Sequence, residues 1–219
     1  MGLLDIFRVG KVVTHVAKTV KNQRIAAQDL RALPMPQFIE QCLAGMHSEH
    51  APWRGQARVA RADAQTLAAD KRLPTDLADF YTHCDGFASS EDFPAPVLAL
   101  AELKLGADHA PAPSQVIQAF WKEHGNDSGR EGQLMVLPPD NLLALMNNDA
   151  QTFVRPAAMD MMVPIVPVRE DGFAVVLLAG AGEHLPAGSV LQYENGIVTR
   201  YDDFRHWLAN WASLLGSIR

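Results

Sequence analysis

Apolar residues recur every three or four positions over residues 3–24. Ile6, Val9, Val13, Val16 and Val20 form one stripe, and Arg8, Lys11, His15 and Lys18 form the opposite one. This spacing predicts one amphipathic helix, with Leu3, Leu4 and Phe7 as an apolar tip. Leu33-Pro34-Met35-Pro36 then breaks the chain. A second helix follows over 37–46, with Phe38, Ile39, Cys42, Leu43 and Met46 facing inward. Pro52-Trp53-Arg54-Gly55 reads as a loop, and 63–70 as a short helix. Over 73–87, Leu73, Leu77, Phe80, Tyr81 and Cys84 share one helical face. Pro74 suits the first turn of that helix. Asp76 and Asp79 sit near the positive end of its dipole, and Gly86 offers a left-handed residue to stop it.

Glu91, Asp92, Pro94 and Pro96 mark a loop. Residues 115–124 read as a helix carrying Val116, Ile117, Phe120 and Trp121, and 125–129 as a turn. Residues 133–137 read as a strand, and Pro138-Pro139-Asp140 opens a helix over 141–147. The last third is strand-rich, with strands predicted over 162–168, 173–179, 189–194 and 197–201. The second of these is so continuously apolar that both its faces should be covered. Asn195-Gly196 between the last two is a strong hairpin signal. Asp202 or Asp203 should cap a final helix whose apolar face holds Phe204, Trp207, Leu208, Trp211 and Leu215. Strands grouped after helices predict an α+β fold, a twisted antiparallel sheet packed against helices with a meander in the C-terminal third.

The length, 219 residues of which 48% are apolar, suits one large domain or a domain with an appendage. Charge is uneven. Residues 1–31 hold six Lys or Arg against two Asp, a net of +4, so the chain total of −6 leaves −10 on residues 32–219. An acidic body argues against nucleic acid and suits a basic protein partner. The two cysteines, Cys42 and Cys84, lack metal-ligand spacing. They fit a reducing cytoplasm as buried thiols, and a disulfide between them remains open at this level.

Catalytic patterns are sparse. Gly180-Ala181-Gly182 follows a strand, but Leu185 replaces the third glycine of a dinucleotide loop and Pro186 disrupts the receiving helix. That segment reads as a turn. His47 and His50, three apart beside Glu49, could hold a metal on one helical turn, but no third ligand is near, so they read as a solvated helix end. His83, Cys84 and Asp85 are adjacent, so they do not face one another on a helix. Glu91-Asp92 and Asp202-Asp203 read as loop and cap residues, and Met159, Met161 and Met162 as core or contact surface. No catalytic, cofactor or metal site is expected.

Several of these segments together resemble the SUKH superfamily, the domain of Smi/Knr-type regulators and many bacterial toxin-immunity proteins. Leu73, Pro74, Phe80, Tyr81, Asp85 and Gly86 match its opening motif. Val97 through Leu103 looks like its first strand running into an apolar-x-x-Glu-Leu step at Glu102. Val163-Pro164-Ile165 looks like its central strand, and Phe204 with Trp207-Leu208 like its closing helix. The resemblance covers roughly residues 50 to 215. It implies a helical extension over 1–50 followed by a SUKH-like α+β domain over 51–219. It also implies a cytoplasmic, non-enzymatic binding protein that caps a toxin domain. The family has no fixed binding motif, so candidate contacts come from loop position and residue type: Asp85, Glu91, Asp92 and Glu194 as acidic contacts and Trp53 as an aromatic anchor. The alternative role lies in the first helix. Arg8, Lys11 and Lys18 beside Ile6 and Phe7 suit peripheral docking on the inner membrane, and the same stripe suits packing on the body or on a second copy. The stretch is too charged for a signal peptide or a membrane span.

Overall fold

The computed structural model describes residues 30–46, 56–88, 97–125, 132–138, 152–181 and 185–216. The expected helices over 3–24 and 141–147 and the loops holding Trp53, Glu91 and Asp92 lie outside these residues.

Among the described residues six α-helices and eight strands follow in order: α1 (Met35–Met46), β1 (Ala57–Val59), α2 (Ala64–Asp70), α3 (Thr75–His83), β2 (Cys84–Phe87), α4 (Pro113–His124), β3 (Leu134–Leu137), β4 (Thr152–Val154), α5 (Pro156–Met159), β5 (Val163–Pro164), β6 (Gly172–Val176), β7 (Val190–Glu194), β8 (Ile197–Tyr201) and α6 (Phe204–Gly216). The fold is α+β. Its main sheet is open, in the order β4-β3-β8-β7-β6-β5, and β1 with β2 forms a small second sheet.

The meander β5-β6-β7-β8 is antiparallel throughout. The sheet as a whole is mixed, because β3 joins β8 in parallel. Asn195 and Gly196 both have positive φ, 46° and 85°, which is what the tight β7–β8 hairpin requires.

The two-residue period of the strands sorts their side chains into two cores. Ala174, Val176, Val190 and Tyr201 face one way. They pack with Phe38 of α1, Leu77 and Phe80 of α3, and Phe204 and Leu208 of α6. Phe173, Val175, Leu191, Tyr193 and Val198 face the other way, onto Val116 and Ile117 of α4 and Met159 of α5. This explains the continuous apolar run in β6: both of its faces are covered.

Phe80 is a hub of the first core. Its ring lies 4.8 Å from Phe204, 5.2 Å from Tyr81 and 5.6 Å from Phe87, all edge-on. Burying one such ring contributes about 2–3 kcal/mol. The apolar face predicted for α3 is therefore the face that joins α6 to β2.

Three expectations change. The helix predicted to stop at Gly86 stops at His83, and Cys84 is already extended (φ −156°, ψ 140°). Gly86 does take a positive φ of 78°, but inside β2, where a Cβ would meet the carbonyl oxygens of Val97 and Leu98. The strand predicted over 97–103 is instead three residues outside any regular element, the last of them, Ala99, extended, followed by a 3-10 turn, Leu100–Glu102. The Glu102 carboxylate accepts the Ala99 N–H (2.7 Å) and Asp85 accepts the Leu100 N–H (2.8 Å), so side chains take donors that a ladder would have used. The strand predicted over 162–168 shortens to Val163–Pro164, because Pro164 and Pro167 lack the N–H a ladder needs.

Two backbone bonds splice the sheets. Phe87 N–H donates to Val97 O and Leu98 N–H donates to Ile165 O, both at 2.9 Å. The Tyr81 hydroxyl fixes the same step by donating to Leu98 O at 2.8 Å.

Candidate functional site

The helix α6 packs along the face of the sheet that carries Ala174 and Gln192. Asp203 caps it, accepting the His206 N–H at 2.6 Å. Where the helix passes the end of β7, an open groove forms. Trp207 and Trp211 make one wall, stacked nearly parallel with ring centres 5.8 Å apart and planes 9° from each other. The turn from β5 to β6, including Val166 and Pro167, makes the other wall. Arg169, Asp171, Gln192 and Glu194 supply its polar groups.

A short relay orients the acidic lip. The Trp207 indole N–H donates to Gln192 Oε1 at 3.0 Å, and Gln192 Nε2 lies 3.4 Å from Glu194 Oε2. The buried indole thus sets the amide, and the amide turns toward the exposed carboxylate. An aromatic wall beside two carboxylates is suited to a cationic side chain, which gains ring and ion contacts together. Arg169 adds one positive group to the same lining.

Of the two sequence candidates among the described residues, Glu194 falls in this groove and Asp85 does not. Asp85 is half-buried and committed to the Leu100 N–H. Trp53, Glu91 and Asp92, and likewise Ile6, Phe7, Arg8, Lys11 and Lys18, lie outside the described residues. Sequence reasoning placed Trp207 and Trp211 in the core and passed over Asp171, Gln192 and Arg169. A signal was available: Gln192 and Glu194 interrupt the face of β7 on which Val190 is buried, and the final helix carries two tryptophans one turn apart.

Several other titratable groups among the described residues have structural partners. Asp202 lies 3.2 Å from His206 Nδ1 and pairs with Arg200 at 3.7 Å, while Arg31 reaches Asp203 at 2.7 Å. The pair Asp202-Asp203 is therefore a helix cap with a charge network. His83 pairs back to Asp79 at 3.6 Å. Cys42 and Cys84 are both free and buried, and burial pushes each thiol up to about 12. Ser114 and Asp160 are close (2.6 Å), but Asp160 also accepts the Ser114 N–H at 2.9 Å, so it serves the first turn of α4. Among the described residues no three His, Cys, Asp or Glu converge as a metal site, and no helix is long and apolar enough to cross a membrane.

Fold and groove together define the class: an α+β domain with an open mixed sheet, helices on both faces, and a solvent-open aromatic groove with an acidic lip. No family model matches the chain, and no curated protein matches it.

Proposed function

We propose that this chain is a non-enzymatic protein-binding domain that neutralises a cognate bacterial toxin by direct binding, in the manner of the SUKH-type proteins it resembles. The observation that carries the reading is the groove, where the Trp207–Gln192–Glu194 relay turns a carboxylate into the same lining as Trp211. A basic toxin domain would insert a lysine or arginine there. The acidic body, −10 over residues 32–219, speeds the encounter. The aromatic wall sets the off-rate, as central Trp anchors do in protein interfaces.

The test is capture with the tagged full-length chain in its native host, followed by calorimetry on the purified pair. One basic toxin domain should come down at stoichiometric level. Glu194→Lys and Trp211→Ala should each weaken its binding by about 1.5–3 kcal/mol. Equal binding by both variants would remove the groove as the docking surface. Recovery of membrane proteins or lipid in place of a toxin would overturn the immunity reading.

A further inference from the structure

We infer that Leu30–Leu33 is an acid-sensitive strap, latched to the first turn of α6 through Arg31 and opened when His206 takes up a proton. The inference rests on this latch alone and is independent of the groove and of what docks there.

Two cationic groups share one carboxylate oxygen. Asp202 Oδ2 lies 3.2 Å from His206 Nδ1 and 4.0 Å from the Arg31 guanidinium. The latched geometry is that of a neutral ring. The Asp202 backbone N–H points at Nδ1 across 3.4 Å, which needs a lone pair on that nitrogen. Arg31 then has two carboxylates, Asp202 and, at 2.7 Å, Asp203. Protonation turns Nδ1 from acceptor to donor. The ring gives up the Asp202 N–H and claims Oδ2. Arg31 keeps Asp203, which already accepts the His206 N–H at 2.6 Å, and now faces a second positive charge.

The charged groups around the ring are Arg31, Asp202 and Asp203, with Arg200 of β8 at 3.7 Å from the other Asp202 oxygen. Asp76 of α3 stands beyond Asp203, at the Arg205 N–H. Burial, and after it Arg31, holds the ring below its ordinary 6.5 against the pull of Asp202 and Asp203. Arg31 and a charged His206 thus disfavour each other, and the coupling is reciprocal.

The strap can lift without unwinding α1. Leu30 and Leu33 are half-buried at the rim of the first core, and the Leu33 N–H donates to Leu30 O at 3.1 Å. The Leu33 carbonyl accepts from the Arg205 guanidinium. The ladder of α1 begins only after them, with Phe38 N–H donating to Pro34 O at 2.9 Å. Opening the strap uncovers the apolar rim beneath its two leucines.

The experiment is NMR on the isotope-labelled full-length protein. It follows the His206 ring and the solvent exchange of the Leu33 amide, corrected for the intrinsic pH dependence of exchange. From pH 7.5 to pH 5, protection at Leu33 should fall about threefold or more, with its midpoint at the His206 pKa. Leu208 and Ala209 should stay far better protected than Leu33 throughout, which separates strap opening from global unfolding. In Arg31→Gln the His206 pKa should rise, and in His206→Gln the Leu33 protection should no longer change with pH. An unchanged His206 pKa in Arg31→Gln would overturn the inference. So would pH-dependent exchange at Leu33 that His206→Gln retains, which would assign the opening to the carboxylates. If a variant fails to fold, the wild type alone decides: constant Leu33 protection, or a midpoint away from the His206 pKa, overturns it.

Discussion

The Arg205 guanidinium stands 4.6 Å from the centre of the Phe38 ring, tying α6 to α1. The same side chain donates to Leu33 O just before α1, and the Arg205 backbone N–H reaches Asp76 of α3 at 3.3 Å. One residue thereby joins three segments that are far apart in sequence. Replacing Arg205 with alanine should cost about 2 kcal/mol, the sum of a lost ring contact and a half-buried carbonyl left unpaired. Lysine should recover only part of this, since it keeps the charge and loses the planar fork. Urea midpoints of the three forms measure the difference.

Gly86 should tolerate no side chain. Its φ of 78° already disfavours alanine, and the added Cβ would meet the Val97 and Leu98 carbonyls, which are backbone and cannot swing aside. Gly86→Ala should cost about 3 kcal/mol or more. Yield of soluble protein and the thermal midpoint report it; a midpoint within a degree of the wild type would contradict this account.

His206 should make stability fall in mild acid. Burial and the neighbouring Arg31 hold its pKa below the ordinary 6.5, outweighing the pull of Asp202 and Asp203. Between the folded pKa and 6.5 the unfolded chain therefore binds more protons, so stability rises with pH there. The contribution is fully present above 6.5 and is lost as pH falls from 6.5 through the folded value. His109 shifts the same way, through burial and Lys104, but is common to both forms under comparison. The difference in unfolding free energy between wild type and His206→Gln should shrink from pH 7.5 to pH 5, read by denaturant titration at each pH.

Both thiols should be silent in the native protein. With Cys42 and Cys84 buried and their pKa values near 12, almost no thiolate is present or reachable at pH 8. Iodoacetamide should label neither before denaturation and both after it, counted by intact mass.

Much of the core was legible in the sequence, because it follows short periods. The helical spacing of Leu77, Phe80 and Tyr81 and the Asn195-Gly196 hairpin are local properties, and both appear in place. What local reasoning missed depends on distant chain. β1 is three residues long and exists because β2 pairs with it. β4 lies beside β3, and β3 is parallel to β8, which is some sixty positions away in sequence. The Val97–Leu103 segment has strand-like composition, yet Asp85 and Glu102 capture its amides. The groove was hidden for a related reason. A tryptophan at helical spacing reads as core, and only the position of α6 over the end of β7 shows that Trp211 also walls an open surface.

The paired bonds at Val97 and Leu98 have a mechanical consequence. They weld the small β1–β2 ribbon, and through it the α2–α3 arm, to the edge of the main sheet. Backbone hydrogen bonding then runs as one uninterrupted seam from β1 to β4. Strain or ligand energy delivered at either end passes along that seam without crossing a flexible hinge, so the two sheets should melt together in a single transition.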